Sequence, residues 1–304
     1  MNKRKLFGMA AMMTLSGTLL TACGTSNQSP SSSNGAGSTS QSGKSKETIT
    51  LGYVDWAEDV ADVYLWKQLL ESKGYNVDAK LMEAGPLFEA LSSGSIDVHF
   101  DVWLPTTDKT YMQRYQSTLT DLGKWYQGQT KLGLVVPDYV NIDSLSQLNA
   151  HAQEFGNQII GIDPGAGETQ TIQQTVIPDY NLSLKLVNSS ETAMLAQLQK
   201  DYNEKQPVVV VLWSPHWAFS KWHLKYLKDP KGSFGKAGWI QTEANKKWAQ
   251  SNPTVAKWLK NFKLNQQQLG SLENDINTAS SKEAGVKKWI SANQSLVNSW
   301  FQSS

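Results

Sequence analysis

Thr48-Ile49-Thr50-Leu51-Gly52-Tyr53-Val54-Asp55-Trp56 is the stretch from which the fold is read. Apolar and polar residues alternate through 48–54, the two-residue period of a strand, and the strand delivers Asp55 and Trp56 to its end. Val60, Val63, Leu65, Leu69 and Leu70 then recur at roughly helical spacing, and Gly74 is placed to end that helix. Residues 75–82 read as the next strand, and Gly85-Pro86 starts a short helix ending near Gly94. This strand–helix–strand–helix order predicts an α/β fold, with a mostly parallel sheet flanked by helices.

Moving outward, residues 96–103 form a further strand. On a period of two, Ile96, Val98, Phe100 and Val102 face one side and Asp97, His99, Asp101 and Trp103 the other. An Asp-x-His-x-Asp face suggests a metal site, but no second His or Cys cluster lies nearby in sequence, and no metal is expected. Thr107 is placed to cap a helix running towards Tyr115, and 132–137 is a buried-type strand leading out of the first lobe. Asp143 reads as the N-cap of a helix through Leu148. A second lobe then starts, with a strand over 158–163. Pro164-Gly165-Ala166-Gly167-Glu168-Thr169 turns from it into a helix. Exposed N–H groups at such a start attract an anion, and a plain tight turn is the other reading. The turn lacks Gly-Lys-Ser/Thr and is therefore no nucleotide loop.

Residues 191–203 are helical by pattern. Pro207 introduces Val208-Val209-Val210-Val211-Leu212, apolar throughout and so a central strand, which ends at Trp213 with His216 and Trp217 in the next turn. A second crossing between lobes is expected over 232–238. From 242 to 304 the chain reads as helices whose Trp248, Trp258, Trp289 and Trp300 serve as packing anchors onto the first lobe.

Trp56, Trp103 and Trp213 each follow an apolar run. Each is therefore expected at a strand's carboxyl end, where open α/β sheets hold ligands. A quaternary ammonium offers no hydrogen-bond donor, so aromatic faces and cation–π attraction are the means of holding one.

Composition narrows the class. The chain has 304 residues, 39% of them hydrophobic, enough for two domains with a real core. Lys3, Arg4 and Lys5 precede an apolar run over 6–20 that ends in Leu20-Thr21-Ala22-Cys23-Gly24. The run is short for a membrane span and resembles a bacterial lipoprotein signal cleaved before Cys23, which would carry the lipid. Cys23 is the only cysteine, excluding a disulfide framework and a thiolate metal cluster. Loss of the three N-terminal cations takes the formal charge from +1 to −2, and the only arginines are Arg4 and Arg114, so nucleic-acid binding is not expected. Residues 24–47 are almost entirely Ser, Gly, Asn, Gln and Thr, the composition of a flexible tether. The division read from the sequence is a signal peptide over 1–22, a lipidated linker over 23–47, lobe one over 48–140, lobe two over 141–236 and C-terminal helices over 237–304.

Tyr53-Val54-Asp55-Trp56-Ala57-Glu58, Glu83-Ala84-Gly85-Pro86, Trp103-Leu104-Pro105-Thr106-Thr107, Gly161-Ile162-Asp163-Pro164-Gly165-Ala166-Gly167 and Trp213-Ser214-Pro215-His216-Trp217, in this order, resemble the substrate-binding proteins of glycine betaine ABC importers. The resemblance covers roughly 49–262. It implies a type II periplasmic-binding-protein fold, two α/β lobes joined by two crossings and closing around the ligand. It implies a three-tryptophan prism at Trp56, Trp103 and Trp213, and backbone N–H groups at Gly167 and Glu168 for the ligand's carboxylate. It also implies an extracytoplasmic, lipid-anchored monomer that serves an ABC permease and its ATPase, without a cofactor.

One position departs. Some members of the family carry a histidine five residues after the second cage tryptophan, gripping the carboxylate, and this chain has Asp108 there. Either Asp108 faces solvent and the backbone suffices, or the protein prefers a ligand of less negative charge such as choline. His216 either supplies the missing donor or orients the Trp213 turn. A choline- or carnitine-preferring receptor is the alternative function. An enzyme acting on a small amine is disfavoured, because the chain has four histidines and no recognisable triad.

Overall fold

The computed structural model describes residues 48–302; the expected signal peptide over 1–22, Cys23 and the tether to 47 lie outside them. β1 (Thr48–Tyr53) is followed by α1 (Ala57–Ser72), β2 (Asn76–Leu81), α2 (Ala84–Ser93) and β3 (Val98–Leu104). β1 pairs in parallel with both β2 and β3, the pairing that the strand–helix alternation dictates. α1 ends where Gly74 takes φ +82°, a left-handed turn that a side chain would resist. α2 ends in the same way at Gly94, with φ +85°.

α3 (Lys109–Tyr115) and β4 (Leu119–Lys124) complete this part of the chain, and the next strand, β5 (Lys131–Pro137), lies in another sheet. The change of sheet therefore falls before Lys131, earlier than the boundary expected at 140. The second sheet also contains β6 (Gln158–Ile160), β7 (Lys185–Val187), β8 (Val210–Ser214) and β9 (Leu224–Tyr226). A 3₁₀ segment, Leu145–Phe155, precedes β6; its N-cap is Ser144 in a capping box with Gln147, one residue beyond the expected Asp143. α4 (Gly167–Thr171), a π turn (Ile172–Val176) and α5 (Ile177–Tyr180) follow β6, α6 (Glu191–Glu204) precedes β8, and α7 (Ala218–Lys221) precedes β9.

The chain then returns to the first sheet with β10 (Trp239–Asn245), where helix was expected from Thr242 onward. The strand orders are β2-β1-β3-β10-β4 and β7-β6-β8-β5-β9. In each sheet the strand entering from a crossing, β10 or β5, runs antiparallel to both neighbours. Four of the five strands in each sheet therefore run the same way, the mostly parallel arrangement expected, and the incoming strand alone is reversed. The two crossings lie side by side, and Gly238 N–H of one donates to Thr130 Oγ1 of the other at 2.9 Å.

α8 (Lys246–Ser251), α9 (Pro253–Asn261), α10 (Gln266–Thr278), α11 (Lys282–Ala292) and α12 (Gln294–Trp300) close the chain. α10 and α11 pack on α1. Phe262 stands 5.6 Å from Trp66 and 5.0 Å from Trp300, ring centre to ring centre, and Trp66 stacks on Phe100 of β3. Trp289 and Trp300 are fully buried, Trp248 nearly so, and Trp258 only partly. Edge-to-face and stacked aromatics of this kind add to the burial of their large apolar area. Among the described residues no helix is long and apolar enough to cross a membrane.

Candidate ligand-binding site

Both sheets present the carboxyl ends of their parallel strands to one cleft. Trp103 is the penultimate residue of β3 and Trp213 of β8, while Trp56 stands three residues beyond β1 as the N-cap of α1. All three are buried, and they line a single cavity with Glu58, Thr107, Asp108, Gly167 and Glu168. The Trp56 and Trp213 rings meet edge to face across the lobes, 6.3 Å between centres at 64°. Room between the rings is ≈ 20 Å³, on the order of one water.

Trp103 is fixed at three points. Its indole N–H donates to Asp101 Oδ1 at 2.7 Å, its backbone N–H donates to Asp108 Oδ2 at 2.7 Å, and its carbonyl accepts from Asp108 N–H at 2.9 Å. Asp108 is therefore buried, with 2% of its surface exposed, and the expectation that it faces solvent is corrected. The chain after Trp103 folds back on itself, and the carboxyl is needed there as an acceptor. Asp108, not Thr107, occupies the N-cap position of α3, and its side chain makes no capping bond.

His216 is corrected as well. It is buried beside the Trp213 ring, 5.0 Å between centres, but does not line the cavity. Its Nδ1 accepts from Ala218 N–H at 3.0 Å, which leaves Nε2 to donate to Glu191 Oε1 at 3.2 Å. With both nitrogens engaged, it orients the Trp213 turn. The other oxygen of Glu191 accepts the N–H of Ala57, next to Trp56, at 2.9 Å. One side chain at the start of α6 thus braces the surroundings of two tryptophans.

Gly167 and Glu168 open α4, where the first-turn N–H groups have no helical carbonyl to bond. Gly167 packs so closely on the first lobe that a Cβ there would sit 2.0 Å from the Thr107 carbonyl oxygen. Further contacts cross the cleft: Tyr111 hydroxyl donates to Gly165 carbonyl at 2.7 Å, and Ala84 N–H approaches Asp163 Oδ2 at 3.4 Å. The Glu168 side chain turns away from these N–H groups and accepts Gly133 N–H at 3.0 Å.

The cavity wall is acidic. Burial pushes the carboxyls of Glu58 and Glu168 well above the usual range, Glu58 also through the nearby charges of Glu191 and Glu273. Burial raises Asp108 to about 7, against the pull of the Trp103 N–H. Asp101 and Asp59 behind the wall are raised chiefly by burial, Asp59 also by the charge of Asp101 and Asp101 also by that of Glu58. Trp213 Nε1 and Glu58 Oε2 have no hydrogen-bond partner among the described residues, although the indole N–H offsets part of the Glu58 shift. No Lys, Arg or His lines the cavity among those residues. His99 of the Asp-x-His-x-Asp face bonds the Gly52 carbonyl at 3.2 Å, and burial lowers it to about 4. Sequence reasoning did not single out Glu58 or Glu191, since an acid in the first turn of a helix is ordinary.

Residues 47–292 match the family described as the substrate-binding domain of ABC-type glycine betaine transport systems. The chain belongs to this family. A glycine betaine/carnitine transport binding protein of Listeria monocytogenes is 36% identical over 151 residues, an alignment spanning 49% of this chain and 50% of that protein. A lactococcal family member in its closed form with glycine betaine superposes with a TM-score of 0.79 at 32% identity, over 84% of this chain and all of that one. A glycine betaine/L-proline-binding protein of Borrelia burgdorferi gives 0.78 at 30%, over 84% and 96%. These relatives are substrate-binding proteins of transporters, not enzymes, and the two-lobed α/β architecture is common to the family.

Proposed function

We propose that this family member captures a quaternary ammonium osmolyte, glycine betaine or a close relative, outside the cell and delivers it to an ABC permease driven by its ATPase. The observation that carries this reading is the convergence of Trp56, Trp103 and Trp213, drawn from two sheets, on one cavity without a basic side chain. Such a wall favours a cation with no hydrogen to donate, at about 0.5–2 kcal/mol for each aromatic face. All three rings are buried in the closed arrangement, so the lobes must part for the ligand's entry and meet again around it. The N–H groups of Gly167 and Glu168 then receive the ligand's carboxylate. Closure presents one shape to the permease, a shift between open and closed populations. Lipid attachment at Cys23 and a monomeric receptor belong to the same proposal.

Calorimetric titration with glycine betaine, proline betaine, carnitine, choline and proline tests it. Quaternary ammonium compounds should bind and proline should bind far more weakly. Trp56→Ala, Trp103→Ala and Trp213→Ala should each weaken binding by roughly 2- to 30-fold. Wild-type affinity in all three variants, or no binding of any quaternary ammonium, rejects the cage.

A further inference from the structure

Asp108 is a buried acid whose two oxygens have different surroundings. Oδ2 is held by the Trp103 N–H at 2.7 Å, whereas no hydrogen bond to Oδ1 is found among the described residues. The residue lines the cavity between the tryptophans and the start of α4. Its neighbour Thr107 packs against Gly167, and Asp108 lines the same cavity as Gly167 and Glu168, whose N–H groups would receive an anionic ligand end. A ligand carboxylate arriving there finds backbone donors and an acid, with no cationic side chain.

We propose that Asp108 selects the ligand's charge: as a neutral acid it donates from Oδ1 to the carboxylate of a zwitterionic betaine, and as a carboxylate it repels that group and favours a quaternary ammonium alcohol such as choline. The inference rests on the quaternary ammonium reading above. It adds that one receptor changes preference with pH, taking up a proton with the betaine.

The surroundings set the range in which this happens. Asp59 of α1 and Asp101 of β3 lie behind Asp108, Tyr111 lies on its own helix α3, and Glu58 and Glu168 share the cavity. All four carboxyls among these are raised by burial, and Lys109, next in the chain, is exposed. Burial brings Asp108 itself to about 7. A betaine carboxylate stays ionised throughout this range, so its binding should follow the protonated fraction of Asp108. Between pH 6 and pH 8 that fraction, and the betaine affinity with it, should fall about tenfold.

The test is calorimetry on the full chain with glycine betaine and choline at pH 6 and pH 8, in two buffers of different ionisation enthalpy, for the wild type and Asp108→Asn. Asparagine keeps an oxygen for the Trp103 N–H and offers an amide donor to the cavity, as the protonated acid does. In the wild type, betaine affinity should fall about tenfold across this range with close to one proton taken up at pH 8, and choline affinity should hold or rise. Asp108→Asn should bind betaine with little pH dependence and without that proton, and should bind choline more weakly than the wild type at pH 8. A betaine profile that is flat in the wild type, or equally steep in Asp108→Asn, overturns the role of Asp108 and leaves the cage standing. Failure of both ligands to bind the wild type at either pH rejects the quaternary ammonium reading itself. Circular dichroism of Asp108→Asn, together with its binding of either ligand, shows whether the variant is folded. An unfolded Asp108→Asn leaves the wild-type slope and proton count to decide.

Discussion

Trp103 and Asp101 stand two residues apart on β3, and the indole N–H of the first donates to Oδ1 of the second at 2.7 Å. Residues i and i+2 share a strand face, so this bond follows from the pleat and fixes the ring's rotation. Asp101→Ala leaves a buried donor unpaired, a cost of about 1–3 kcal/mol. Because the ring is part of the proposed cage, part of that cost should appear in binding as a loss of roughly tenfold. Asp101→Asn, which keeps the acceptor, should restore most of the affinity for glycine betaine. Equal losses in both variants would mean that the bond does not position the ring.

Gly167 carries the lobe contact. A methyl group there would lie 2.0 Å from the Thr107 carbonyl oxygen, a backbone atom that cannot swing aside. Gly167→Ala should leave each lobe folded and keep the lobes apart. The expected result is unchanged helix content, more than tenfold weaker glycine betaine binding, and no ligand-induced compaction in small-angle X-ray scattering. Compaction like that of the wild type would show that closure tolerates the added carbon.

Local patterns were legible in the sequence. The alternation of 48–54 and the helical spacing after it fall where β1 and α1 lie, because both depend on neighbours in sequence. Sheet membership was not legible. Residues 132–137 read as a buried strand, yet whether that strand joins the first or the second sheet depends on partners some eighty residues away, such as Val210 and Val211 of β8. β10 was hidden because Gln241, Thr242 and Glu243 are buried polar residues in mid-strand and helix-forming lysines follow. The tryptophans stood out as rare large residues at strand ends. Asp108 did not reveal its burial, which depends on the loop after Trp103 turning back.

Glu191, itself held by His216 Nε2 at 3.2 Å, ties the two lobes near the tryptophans through Ala57 N–H at 2.9 Å. In the open form water replaces the bond to Ala57, so its main effect should be on how long the closed form lasts. Glu191→Ala removes the one bond of the two that crosses between the lobes, worth about 0.5–1.5 kcal/mol, which corresponds to roughly two- to twelvefold in affinity. Stopped-flow tryptophan fluorescence should find that loss mainly in a faster off-rate. An unchanged off-rate with a slower on-rate would assign Glu191 to the open form instead.

Stability should decline from mildly acidic to mildly alkaline pH. Glu273 is raised from 4.5 to about 8, chiefly by burial and then by the charge of Glu191, and Glu243 is raised to about 7 by burial. An acid with a raised folded value binds its proton more tightly in the folded state, so its contribution is complete below its ordinary value and is lost as pH climbs through the raised one. His99 has the opposite effect. Burial lowers it from 6.5 to about 4, so its contribution is present above 6.5 and lost as pH falls through about 4. The raised acids, Asp108 and Glu58 among them, outnumber the one lowered histidine. Thermal denaturation of the ligand-free protein should therefore give a higher Tm near pH 5 than near pH 8. Glu273→Gln, which keeps the shape but cannot ionise, should reduce the fall between those two values. A Tm that rises from pH 5 to pH 8 would mean that these acids are ionised inside the fold, each facing a compensating charge that the structure does not contain among its described residues.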